Sequence, residues 1–148
     1  MILDNVNGNS FFKVKAFEMN ILFYLPITSE IDARIQEVVE MVKTMAKTEV
    51  FRSIENLSKR LRKPADGFTI AVLVAGNKKD LVDLAFIRYL LSDTPIILVL
   101  FDREESTTIM GYGLVPRFLT YMDSNLMEVG AVLEKMIQKY EKREAVFI

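Results

Sequence analysis

Ile70-Ala71-Val72-Leu73-Val74-Ala75 runs without a polar break and is followed at once by Gly76-Asn77-Lys78-Lys79-Asp80. A strand reads this way when helices cover the sheet above and below, because both of its faces are then buried. Two more runs share the pattern, Ile21-Leu22-Phe23-Tyr24-Leu25 and Ile96-Ile97-Leu98-Val99-Leu100-Phe101. A further pair of candidate strands is more polar: Glu49-Val50-Phe51-Arg52 and Arg117-Phe118-Leu119-Thr120-Tyr121. Charge on a strand suits the edge of a sheet, where it discourages pairing with other chains.

Helical patterns separate these runs. Ser29 is placed to cap a first helix with Asp32 three positions on, and Ile31, Ile35, Val38, Val39, Val42 and Met45 form one stripe. A second helix is expected from Ser53, burying Ile54, Leu57 and Leu61 and stopping before Pro64. The third spans 79–91 with Leu81, Leu84, Arg88 and Leu91 along one side. Its other side carries Val82, Phe86 and Tyr89, so it is apolar more widely than one sheet contact needs. A short fourth covers 104–112, and the fifth runs over 125–142 through Leu126, Gly130, Leu133, Ile137 and Tyr140.

Five successive β-α units imply an α/β fold, a five-stranded parallel sheet with right-handed crossovers and helices on both faces. The first, third and fourth strands are the most apolar. That matches the flavodoxin-like order 2-1-3-4-5, a three-layer sandwich with those three in the middle. Residues 1–18 form an N-terminal arm in which Phe12, Val14 and Ala16 alternate with Lys13 and Lys15, the pattern of an added strand. The domain proper occupies 19–143, and 144–148 is an apolar C-terminal tail ending in Val146-Phe147-Ile148.

Composition removes whole classes of chemistry. The 148 residues include no cysteine and no histidine, so disulfides, thiolate catalysis, Cys/His zinc sites and histidine phosphotransfer are excluded. Formal net charge is -1 with both signs dispersed, which gives no basic face for nucleic acid. The densest basic run, Lys59-Arg60-Leu61-Arg62-Lys63, falls where cations favour a helix C-terminus. No stretch approaches the roughly 20 apolar residues of a membrane span, and no signal peptide is visible, so a cytoplasmic protein is expected.

From Thr94 to Ile137 the chain resembles the second half of a response-regulator receiver domain. Thr94-Pro95 leads into an apolar strand, then Asp102-Arg103-Glu104-Glu105, Gly111-Tyr112-Gly113, Arg117-Phe118-Leu119-Thr120, and a long helix after Asp123-Ser124. With the preceding elements the likeness covers 19–137. In that family an acidic pair after the first strand holds magnesium; the resemblance puts Leu25 and Pro26 there. The phosphoacceptor aspartate falls on Ala75, the hydroxyl ending the fourth strand on Leu100, and the Lys-Pro after the fifth strand on Tyr121-Met122. Only the aromatic residue of the fifth strand matches, at Phe118. No acidic residue lies within 21–27 or 72–79, so a small alignment slip restores nothing. Magnesium wants oxygen ligands, and an acyl phosphate without cation or lysine has no charge partner. The resemblance therefore implies a degenerate receiver that is not phosphorylated, with no metal, no cofactor and no catalytic residue.

Other motifs have plainer readings. Asn77-Lys78-Lys79-Asp80 matches the guanine-reading signature of GTPases, but no Gly-rich phosphate loop accompanies it, and Asn77 is a good helix cap. Thr28 and Ser29 occupy the place where flavodoxins hold a flavin phosphate, without the glycine that would let amides converge. Asp102, Glu104 and Glu105 read as a solvated loop and an acidic first helical turn.

The function expected is a phosphorylation-independent signalling module acting by protein-protein interaction, with a signalling protein as partner and self-association into a dimer. It is not expected to be an enzyme or to bind nucleic acid or membrane. In receivers the fourth helix, fifth strand and fifth helix form the usual dimer face; here that face offers Ile109, Met110, Tyr112, Leu114, Phe118, Tyr121, Met127, Val132 and Met136. The wide third helix is a second candidate surface. The alternative is a flavodoxin-like domain holding a small molecule in an apolar crevice at the ends of the first and third strands, lined by Leu25, Pro26, Ile27, Ala75, Gly76 and Asn77.

Overall fold

Alternation along each central strand divides its side chains between two helical layers, and a computed structural model shows how. It describes residues 18–26 and 29–146, the stretches 29–32 and 143–146 by backbone alone. The expected strand at Phe12, Val14 and Ala16, together with Ile27, Thr28, Phe147 and Ile148, lies outside the described residues.

The order is β1 (Met19–Tyr24), α1 (Ser29–Val42), β2 (Lys47–Phe51), α2 (Ile54–Arg62), β3 (Phe68–Ala75), α3 (Lys78–Phe86), a 3-10 helix (Arg88–Leu91), β4 (Ile96–Leu100), α4 (Glu105–Tyr112), β5 (Phe118–Tyr121) and α5 (Met127–Val146). All five strands pair in parallel in the order β2-β1-β3-β4-β5. β1 and β4 are buried at every residue and β3 at its last six, whereas β2 and β5 are mostly half-exposed edges. The apolar runs thus occupy the centre and the charged ones the rim, as their side chains require.

On one face Ile21, Phe23, Ile70, Val72, Val74, Ile97 and Val99 meet α1 and α5 through Ile35, Val38, Val39, Val42, Val129, Leu133 and Ile137. On the other, Ala71, Leu73, Ala75, Leu98 and Leu100 meet Leu57, Leu81, Leu84, Leu91 and Leu114. Burying one such Leu, Ile or Phe stabilises the fold by roughly 1.5–3 kcal/mol. Two close approaches need glycine. A Cβ on Gly111 would stand 2.9 Å from Leu100 Cδ1, so α4 can lie on β4 only without a side chain there. Gly67, at φ 84°, would press a Cβ onto the backbone carbonyl of Glu18.

Two boundaries differ from the sequence expectation. The third helix does not run to residue 91: at Ile87 (φ -102°, ψ 11°) the α-helix gives way to the 3-10 turn. Phe86 ends the α-helix 77% exposed, and in the 3-10 turn Leu91 is buried while Tyr89 is 62% exposed. Part of the wide apolar girth, Tyr89 and Leu91, thus belongs to a separate winding, while Val82 and Phe86 share the α-helix with Leu81 and Leu84. The last helix continues to Val146, past the expected helix end at 142.

Candidate functional site

Ligand and phosphoryl sites in open parallel sheets lie beyond the carboxyl ends of the strands. Here Ala75, Leu100 and Tyr121 stand side by side across β3, β4 and β5, each paired in register with the next. The three positions that the resemblance assigns to phosphoacceptor, hydroxyl and lysine are therefore one row in space. Leu25 and Pro26 follow directly on β1, with the Leu25 N–H donating to the Phe51 carbonyl at 2.9 Å.

The row is closed. Leu25 is 1% exposed, Ala75 and Leu100 are 0%, and Pro26 is buried. Leu25 belongs to the α1–α5 core and Ala75 and Leu100 to the opposite one, where Leu100 packs against Gly111. Of the expected crevice, Gly76 is half-buried and Asn77 exposed. Space opens instead between α3 and α4, where Leu81, Phe101, Thr107, Ile109 and Met110 help line a cavity of about 610 Å³.

Tyr121 is held from two sides. Its hydroxyl shares a hydrogen bond with Thr108 at 3.0 Å, and the Arg103 guanidinium lies 4.3 Å from its ring centroid. Arg103 also pairs with Asp123 at 3.0 Å and donates to Ser124 Oγ, which holds the Asp123 carboxyl below its usual range. From α1, Arg34 donates to the Met122 and Ser124 carbonyls at 2.6 and 2.5 Å. The loop after β5 is thereby tied down by two arginines, and neither the Tyr121 nor the Met122 side chain carries a cation.

The motif Asn77-Lys78-Lys79-Asp80 serves as a helix start. Asn77 Oδ1 accepts the Asp80 N–H at 2.9 Å, and Asp80 Oδ2 reaches back to accept the Gly76 N–H at 2.9 Å. Asp80, the last residue of that motif, thereby brings a buried carboxylate onto the residue after Ala75, a role its place in the motif did not indicate. Burial raises its pKa against the lowering effect of the Gly76 bond. Lys79 is committed to Asp83 at 2.9 Å. The basic run on α2 is likewise spent on structure, Arg60 on Glu49 at 3.0 Å and Arg62 on the Tyr89 hydroxyl at 2.8 Å. Asp102 caps the turn into α4 by accepting the Glu104 N–H, while Glu105 sits exposed in the first turn of α4. Among the described residues no group of three acidic, Cys or His side chains is arranged to hold a metal, and no helix is long and apolar enough to cross a membrane.

Tyr24, last in β1 and 3% exposed, is the most perturbed acid here. Desolvation, then the charges of Asp80, Asp83 and Glu55, raise its phenol from 10.0 to about 12. The folded chain therefore keeps a proton that the unfolded chain loses first, and stability falls as pH rises from about 10 through about 12. We expect a loss of roughly 2–3 kcal/mol across that window. Urea unfolding followed by circular dichroism at about pH 9 and about pH 11.5 should show it. Tyr24→Phe should flatten the difference, and an equally steep fall in that variant would place the cause elsewhere.

Of the expected interface, Tyr112 and Met127 are exposed at 59% and 45%. Leu114 is buried, and Phe118, Val132 and Met136 are half-buried against the α1–α5 core. Ile109 is exposed at 64%, and Met110 is half-buried against the other core.

No family model and no curated protein matches the sequence. Solved structures do. A CheY-like response regulator receiver domain from Methanospirillum hungatei JF-1 superposes with a TM-score of 0.58 at 10% identity, over 86% of this chain and 98% of that one. The BeF3-activated DrrB receiver domain gives 0.56 at 12% identity, over 85% and 99%. A CheY-like response regulator from Mesorhizobium loti gives 0.55 at 16% identity, over 84% and 98%. The fold is that of a receiver domain.

Proposed function

We propose that this chain is a receiver-like signalling module that works through protein-protein contact and is not phosphorylated. The observation that carries the reading is the in-register row Ala75, Leu100 and Tyr121, beside Leu25 and Pro26, at the place where receiver chemistry needs carboxylates, a hydroxyl and a lysine. Buried alkyl groups there offer no oxygen to a divalent cation and no nucleophile to a phosphoryl donor. The module is cytoplasmic, is not an enzyme, and meets a protein partner rather than nucleic acid or membrane.

Magnesium with beryllofluoride tests the chemical half. The amide resonances of Leu25, Ala75 and Leu100 should stay unmoved by additions that shift them in an active receiver. Saturable shifts at those three would overturn the reading.

The partner half rests on exposed apolar side chains of α3, the 3-10 helix and α4: Phe86, Tyr89, Ile109 and Tyr112 are each more than half exposed. Patches of this kind mark contact surfaces. Met127 at the start of α5 extends the candidate set, and the occupant we assign is a second copy of this chain. Light scattering at tens of micromolar should give a dimer mass, and Phe86→Glu with Tyr112→Glu should return it to the monomer. A monomer at every concentration, or a dimer indifferent to both substitutions, would remove this half.

A further inference from the structure

A second hollow lies at the opposite rim from the closed site, under the amino ends of β3, β4 and β5. It measures about 790 Å³ and takes its walls from the start of β3, the 3-10 helix, the approach to β4, the segment after α4, and α5. That is within the roughly 300–1,000 Å³ of small-molecule sites.

Its charge is lopsided. Arg88, Arg117 and Lys139 line it, against the single carboxylate Asp93. Among the described residues Arg117 and Lys139 have no ion-pair or hydrogen-bond partner for their side chains, and Arg88 has only a long bond, 3.4 Å, to the Gly113 carbonyl. The chain as a whole carries -1, so three cations converging on one groove are a local concentration against the overall sign. Among the other described arginines, Arg34, Arg60 and Arg103 each hold named oxygens.

The same groove has an aromatic wall. Phe68 and Tyr140 both line it and stack on each other, centroids 4.2 Å apart and planes 12° from parallel. At the rim stands Val115, 82% exposed and at φ 54°, a left-handed conformation that a β-branched residue rarely adopts. Backbone strain of this kind gathers at ligand sites more than elsewhere.

We propose that this groove binds a small organic phosphate bearing a planar ring, of about mononucleotide size. Arg88, Arg117 and Lys139 take the phosphate oxygens through charge-assisted hydrogen bonds, for which guanidinium geometry is well matched. The ring lies along Phe68, which stacking on Tyr140 already orders.

Adenosine monophosphate titrated into the full-length, isotope-labelled chain tests this, with adenosine and inorganic phosphate as separate probes. Saturable amide shifts are expected at Arg88, Gly113 and Arg117 with the nucleotide, at affinity about tenfold or more above either fragment. Arg117→Glu with Lys139→Glu, both at the surface, should weaken binding about tenfold or more while circular dichroism and the unfolding midpoint stay as in the parent. No saturable shift up to about 5 mM, or binding untouched by charge reversal, overturns the site. Inorganic phosphate binding as tightly as the nucleotide overturns the ring assignment. The readout does not involve the carboxyl ends of the strands, so it is independent of whether the chain is phosphorylated, and a shift that follows protein concentration without the nucleotide belongs to self-association instead.

Discussion

Placing an aspartate where the phosphoacceptor would stand, Ala75→Asp, is expected to destabilise the protein by roughly 3–5 kcal/mol and to create no phosphorylation site. Ala75 is fully buried among Leu73, Leu98, Leu100 and Leu81, with no cation to pair with a new carboxylate. An ionised carboxyl there would lose its hydration without compensation, so its pKa would rise and the cost would be larger at neutral than at mildly acidic pH. Urea denaturation at both pH values measures the effect. Mass spectrometry after incubation with acetyl phosphate should find no added phosphoryl group. A variant as stable as the parent, or one that gains a phosphate, would mean that this end of the sheet is open to water and ions, against the closed row described above.

The second large effect is expected at Gly67. Alanine there meets two penalties at once, a left-handed backbone at φ 84° and a collision with the Glu18 carbonyl. That carbonyl cannot step aside cheaply, because it accepts the Phe68 N–H at 3.0 Å where β3 begins to pair with β1. The neighbouring Asp66 carbonyl is held as well, by the buried Asn20 amide at 2.7 Å. Gly67→Ala should therefore cost about 3 kcal/mol or more, read as a lowered midpoint in thermal or urea unfolding. Gly130→Ala is the internal control. The contact it would make is with the flexible end of Met41, which can turn away, so a much smaller loss is expected there. Equal losses at the two sites would show that the backbone latch between Glu18 and Phe68 is not what makes Gly67 special.

How far the sequence carried these conclusions depends on what each one needed. Strand order was legible because it rests on local contrast: Ile70 to Ala75 and Ile96 to Leu100 are apolar on both faces, while Glu49 and Arg117 are not. The row of Ala75, Leu100 and Tyr121 was legible in its residue types, and the register brings them side by side. Whether that row is a hollow was not legible, since the Leu100 side chain fills it only because α4 approaches closely at Gly111. The break in the third helix was hidden for a related reason. Leu81 and Leu84 are buried and Phe86 and Tyr89 exposed, and the change to 3-10 winding after Ile87 leaves no mark in hydrophobicity alone. Half-buried Phe118, Val132 and Met136 read as surplus apolar surface until the α1–α5 core they lean on was visible. The cationic groove could not be read at all, because Phe68, Arg88, Arg117 and Lys139 come together only through folding.

Both rims of the sheet bear on how far any self-assembly can go. β2 has five residues and β5 only four, and β2 carries Lys47 and Glu49, the latter tethered by Arg60 from α2. Short borders bearing charge are poor templates for strand addition, so a growing fibre would find little to copy at either side. The proposed contact through helices would leave these borders unused, and if it is two-fold it closes on itself in a pair of finite size.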